Sequence, residues 1–197
     1  MIAILDYGSG NLRSAQRAFQ STGSEVVVTS DYQTALNADG LVVPGVGAFA
    51  ACMSGLAAIR GDQLVRERMA LKRPTLGICV GMQILFSSGV EHGQQKGVGI
   101  WDATVEKLKA PILPHMGWNS VQAGTGSVLF KGLENQSFYF VHSYAVKQAV
   151  GSVASYSHHG EDFLAAVEDG VVSATQFHPE KSGEAGLHLI KNWIATL

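Results

Sequence analysis

The chain has 197 residues, 46% of them hydrophobic and 15% charged, and fourteen Lys and Arg against sixteen Asp and Glu leave a net charge of −2. That length holds one domain with a full core over residues 1–197, and the charge balance lacks the basic block that grips nucleic acid or an anionic membrane. No stretch approaches the ~20 apolar residues needed to cross a bilayer, and no cationic leader precedes Asp6, so a cytoplasmic protein with reduced thiols at Cys52 and Cys79 is expected.

Residues 2 to 6 (IAILD) read as a strand, Tyr7 to Asn11 as a glycine-rich turn, and Leu12, Ala15, Ala18 and Phe19 as the apolar stripe of a helix that ends at Gly23. The turn lacks both the Walker lysine and the three-glycine fingerprint, so it offers no phosphate cradle. A β-branched strand at 25 to 29, a short helix at 31 to 38 and a strand at 40 to 43 follow, the last running into Pro44-Gly45-Val46-Gly47. Residues 47 to 60 and 62 to 71 read as helices, the second capped by Asp62, and Cys52 falls on a core position. Pro74 opens a strand into Leu76-Gly77-Ile78-Cys79-Val80-Gly81-Met82-Gln83, with a helix continuing to Gly89. Strands and helices alternating in this way predict an α/β fold with a central, mostly parallel sheet flanked by helices. Its ligands would collect beyond the carboxyl ends of the strands.

From Gly89 the pattern changes to strand-like runs at 102 to 109, 119 to 122, 137 to 146, 152 to 157, 163 to 167 and 171 to 177. The last two are joined through Asp169-Gly170, a tight-turn signal, so the second half forms an antiparallel extension. A final helix from Ser182 places Leu187, Ile190, Ile194 and Leu197 on one stripe.

Cys79 sits between two glycines where a strand turns into a helix. Such a turn projects a nucleophile, and helix-start amides favour a thiolate. From the octet alone, an inert buried cysteine is an equal reading. The run Gln176-Phe177-His178-Pro179-Glu180 adds an imidazole and a carboxylate two residues apart, which share a face if strand geometry persists. A thiol, a base and an acid that fixes the base's tautomer are the parts of an activated nucleophile.

GICVGMQ with QFHPEKS resembles the class I, triad-type glutamine amidotransferases. More narrowly, DYGSGNLRS, PGVGAF, PHMGWN, YFVHSY and HPEKSGEAGL, in this order along the chain, are similar to the glutaminase subunits of imidazole glycerol phosphate synthases. The resemblance implies a γ-glutamyl thioester on Cys79, proton transfer by His178 and orientation by Glu180. It assigns the oxyanion donors to Val80 and to the Gly45-Val46 peptide, the latter after reorienting when a partner engages. Glutamine would be held by Gln83, by Glu91 at its α-ammonium, and by the Ser143-Tyr144 backbone. It further implies a (β/α)₈-barrel cyclase partner that consumes the ammonia in histidine biosynthesis, docking near Asn11, Met116, Trp118, Asn119 and Lys181. Glu91 read alone is an ordinary loop carboxylate, Trp118 a core aromatic and Lys181 a solvated charge. Ala50 departs from the glycine that many relatives carry. Neither a metal nor a cofactor is implied.

Overall fold

The structure is a computed structural model that describes residues 1–197. The chain runs β1 (Ile2–Leu5), α1 (Leu12–Gln20), β2 (Val26–Thr29), α2 (Tyr32–Asn37), β3 (Gly40–Gly45), α3 (Phe49–Ala58), α4 (Gly61–Ala70), β4 (Thr75–Cys79) and α5 (Val80–Gln83). It continues through β5 (Phe86–Gly89), β6 (Gln95–Lys96), β7 (Trp101–Lys107), β8 (His115–Ser120), β9 (Ser137–His142) and β10 (Tyr144–Ala145). The last elements are β11 (Val153–His159), β12 (Glu161–Asp169), β13 (Val172–Thr175), a 3₁₀ turn (Pro179–Lys181) and α6 (Gly183–Ile194).

A seven-stranded sheet in the order β11-β12-β13-β4-β3-β1-β2 forms the centre. From β13 to β2 all pairings are parallel, and β12 and β11 extend the sheet antiparallel. The expected fold class is therefore the observed one. Strands β1, β3 and β4 are buried at every position, which explains why they read as continuous apolar runs rather than alternating ones. A four-stranded sheet (β10-β7-β5-β6) and the β8–β9 ribbon complete the second half. No helix is long and apolar enough to cross a membrane.

Arg68 is fully buried without a carboxylate partner. Its Nη1 donates to the carbonyls of Ala35, Leu36 and Ala38 at 2.8 to 2.9 Å, and its Nη2 to Pro74 at 2.7 Å and Asp39 at 3.3 Å. The guanidinium thus closes the carboxyl end of α2, where carbonyls lack helical partners, and ties it to the entry of β4. Burial lowers its pKa to about 10, which leaves it charged at neutral pH.

Several local expectations fail for identifiable reasons. The helix after Cys79 is a single turn, because Phe86 to Gly89 pair with β7 and β6 instead of continuing it. Helix α4 begins at Gly61 behind a left-handed Arg60 and has no side-chain cap, so Asp62 lies in its first turn and binds Arg66. The buried face of α6 is Gly186, Leu189, Ile190 and Trp193, one step from the expected stripe. A Cβ on Gly40 would lie 2.6 Å from the Trp193 ring, so the bare backbone of β3 is what admits this indole.

Candidate active site

Pairing of β3 with β4 brings Gly45 abreast of Cys79, so the PGVG turn and the cysteine turn emerge side by side at the carboxyl edge of the sheet. Cys79 itself carries the strain, with φ 56° and ψ −114°, a conformation rare for a non-glycine residue. The neighbouring glycines serve closeness rather than dihedral freedom. A Cβ on Gly81 would lie 1.9 Å from the Val43 carbonyl oxygen, and one on Gly77 would lie 2.8 Å from the Gly81 oxygen. Cys79 is 3% exposed, so the thiol is buried in a wall and not projected into solvent.

That wall belongs to a cavity of about 470 Å³ whose lining includes Cys79, Val80, Gln83, Glu91, Ser143, Tyr144, His178 and Lys181. The chain thus gathers at one site residues separated by more than a hundred positions. Beyond β13 the chain enters the 3₁₀ turn, and this turn, not a continuing strand, sets His178 Nδ1 2.7 Å from Glu180 Oε1. Both side chains are almost fully buried. Burial alone would lower the His178 pKa, but the Cys79 and Glu180 side chains reverse this and raise it to about 10. Its Nε2 is buried without a hydrogen-bond partner, as is Glu180 Oε2.

The remaining expected residues are arranged less simply. Val80 is the first residue of α5, where an N–H has no intrahelical acceptor. The Val46 N–H, by contrast, donates to Ser9 Oγ at 3.1 Å, and that hydroxyl donates to the Val46 carbonyl at 2.9 Å. The Gly45-Val46 peptide is therefore latched to the Tyr7-to-Asn11 loop, with its N–H engaged there. Cys52 supports the latch through its thiol, 3.1 Å from Ser9 Oγ, and Tyr7 Oη donates to the Pro44 carbonyl. Glu91 Oε2 accepts from the Phe49 N–H at 3.0 Å, at the start of α3. The Ser143 carbonyl accepts from Leu108 N and the Tyr144 carbonyl from Gln83 Nε2, so both backbone oxygens of this pair are already occupied.

Met116 and Trp118 stand on the outer face of β8, 61% and 60% exposed. Asn119 faces the other way, donating to the His158 carbonyl at 2.9 Å and lying 3.2 Å from His115 Nε2, so it is less available to a partner than expected. Asn11 caps α1 by accepting from Ser14 N. Lys181 is exposed at the cavity rim.

Sequence reasoning missed a chain of buried imidazoles that starts at His142 on the cavity wall and runs back to His115. His142 Nδ1 meets the Tyr144 carbonyl at 3.0 Å, which fixes that nitrogen as the donor. His142 Nε2 then accepts from His115 Nδ1 at 3.0 Å, and His115 Nε2 accepts from Asn119. Burial lowers their pKa values to about 3 and about 4, in keeping with this neutral arrangement. Both histidines sit inside the PHMGWN and YFVHSY motifs, and their alternation along β8 and β9 was the available signal. No group of three or more His, Cys, Asp or Glu is placed to hold a metal ion.

The family described as glutamine amidotransferase class-I matches residues 3–197. The chain belongs to the class I glutamine amidotransferases. It is 58% identical to the imidazole glycerol phosphate synthase subunit HisH of Mycolicibacterium paratuberculosis over all of this chain and 98% of that one. It is 56% identical to the protein of the same name from Streptomyces avermitilis over all of this chain and 96% of that one. A solved glutamine amidotransferase shares the fold with a TM-score of 0.76 at 19% identity, covering 98% of both chains. The expected family and enzyme class are thus the observed ones.

Proposed function

We propose that this chain, acting as one amidotransferase domain, hydrolyses glutamine to glutamate and ammonia through Cys79, His178 and Glu180. It passes the ammonia to a (β/α)₈-barrel cyclase that forms imidazole glycerol phosphate and aminoimidazole carboxamide ribotide in histidine biosynthesis. The observation that carries the reading is the buried His178–Glu180 pair at 2.7 Å, with His178 sharing its cavity with Cys79.

Cys79 sulfur attacks the side-chain amide carbon of glutamine, and His178 holds the proton that leaves the thiol. Glu180 fixes the Nδ1–H tautomer and stabilises the imidazolium, leaving Nε2 to meet the reacting groups. The tetrahedral oxyanion is met by the Val80 N–H and, once its peptide turns away from Ser9, by that of Val46. Collapse breaks the C–N bond, His178 protonates the departing nitrogen, and water cleaves the γ-glutamyl thioester with His178 now acting as base. Glu91 receives the α-ammonium, while Gln83 and the Ser143-Tyr144 amides hold the amino-acid end. Free ammonia is easily lost to water, so the partner docks at the cavity mouth. Lys181, Asn11, Met116 and Trp118 form its seat, with Asn119 behind them, in a cytoplasmic heterodimer.

Glutaminase turnover of the chain alone, and with a barrel cyclase and its nucleotide ligand, tests this reading. Low turnover alone, strong stimulation in the complex and at least a thousandfold loss in Cys79→Ala, about 4 kcal/mol, are expected. Retained hydrolysis in Cys79→Ala contradicts it.

A further inference from the structure

Gln176 is 1% exposed and stands outside the triad, yet its side chain reaches the sulfur. Its place follows from the sheet. Thr175 pairs in parallel with Ile78, and Gln176 N donates to the Ala165 carbonyl at 2.8 Å, so the next residue along lies abreast of Cys79. Its Nε2 stands 3.8 Å from Cys79 Sγ. We propose that Gln176 donates a hydrogen bond to the Cys79 thiolate, and that Gln83 is the positioning residue that decides which end of the Gln176 amide faces the sulfur. This deepens the proposed function and rests on its reading of Cys79 as the nucleophile.

The orientation of both amides follows from donor and acceptor chemistry. The Tyr144 carbonyl can only accept, so the group that Gln83 brings within 2.8 Å of it must be Nε2. The same Nε2 lies 3.0 Å from Gln176, which must therefore present Oε1 to it. Only the Gln176 NH₂ is then left for the sulfur. The Tyr144 carbonyl is held in turn by the His142 Nδ1–H, so the ladder of bonds has one consistent direction. Gln83 lies four residues after Cys79 in a helical turn, on the same face.

On the other side of the sulfur, the Val141 carbonyl is 4.0 Å away. A carbonyl favours the protonated thiol and repels the thiolate, whereas an amide donor favours the thiolate. Gln176 therefore offsets Val141, and its loss moves Cys79 toward the thiol. The titratable groups around this sulfur are His178 with Glu180 behind it, Tyr7 and Cys52 on the β1 and α3 side, and His142, Glu91 and Lys181 on the cavity wall. All of them remain in the variants below.

The test is the pH dependence of iodoacetamide alkylation of the full chain, in which Cys79 sulfur displaces iodide. Peptide mass spectrometry scores Cys79 apart from Cys52. Gln176→Met removes donor and acceptor together and raises the alkylation midpoint by about one pH unit. Gln176→Glu keeps the acceptor that Gln83 uses, adds a like charge and raises it further. Gln83→Met frees the Gln176 amide to turn and gives a smaller rise. A purely structural role would change melting temperature and turnover and leave the midpoint in place. Unchanged midpoints in folded Gln176→Met and Gln176→Glu, with the parent still hydrolysing glutamine, overturn this inference alone. A parent Cys79 that resists alkylation throughout overturns the nucleophile reading and this inference with it.

Discussion

The two walls of the cavity are held by different forces. On the β3–β4 side the backbone does the positioning: Gly45, Gly77 and Gly81 let strand and turn approach so closely that no side chain fits between them, and Cys79 is locked in a strained conformation. On the other side, directional polar bonds set the geometry, through His178 and Glu180, the Gln176 amide, and the His142–His115–Asn119 chain, with Gln83 of α5 bridging the two walls. A thiol aimed by packing can be displaced only by disturbing the fold. An imidazole aimed by hydrogen bonds can lose its partner while the fold stands.

Substitutions on each side sharpen this contrast. Glu180→Gln keeps the volume of the acid and removes its charge, so glutaminase turnover falls by about 10⁴-fold while the protein still folds, with a smaller loss in a urea titration than the glycine variant that follows. Gly81→Ala does the reverse, forcing a Cβ against the Val43 carbonyl and costing about 3 kcal/mol or more of unfolding free energy in the same titration. Equal effects of the two variants on stability would erase the contrast.

The imidazoles divide along the same line when pH is varied. His115 and His142 have native values of about 4 and about 3, below the ordinary 6.5, so their contribution is full above pH 6.5 and is lost as the pH falls through that window. The slope is at most about 1.4 kcal/mol per pH unit for each ring. Calorimetric melting between pH 7 and 4.5 should show this decline, and His142→Gln should flatten it. His178 is raised to about 10, so its contribution is present below pH 6.5 and fades as the pH climbs through 10. Smallest of all is the expected effect of Trp118→Ala on stability, within about 0.5 kcal/mol by denaturation. The same variant should raise about tenfold the cyclase concentration that gives half-maximal stimulation.

Much of the molecule was legible from local pattern. The buried runs of β1, β3 and β4, the glycines around Cys79 and the Asp169-Gly170 turn each carry their cause in a few adjacent residues. What escaped depends on contacts across the chain. Ile84 to Gly89 continues an apolar rhythm compatible with a helix, but pairing of β5 with β7 overrides it. The face of α6 is chosen by the space that Gly40 leaves for Trp193. Gln176 lies two residues before His178 in a motif already singled out, yet its approach to Cys79 depends on the register of β13 against β4. Ser9 likewise looked like part of a turn, and only the neighbouring PGVG segment reveals it as a latch.

In the proposed reaction Cys79 takes up the γ-glutamyl group while His178 manages its proton. Rapid acid quenching of the chain during turnover with glutamine and the barrel cyclase, followed by mass spectrometry, tests it directly. One γ-glutamyl adduct is expected, on the peptide that carries Cys79, absent in Cys79→Ser and without glutamine. Steady hydrolysis with no adduct at Cys79, or an adduct on another residue, would contradict it.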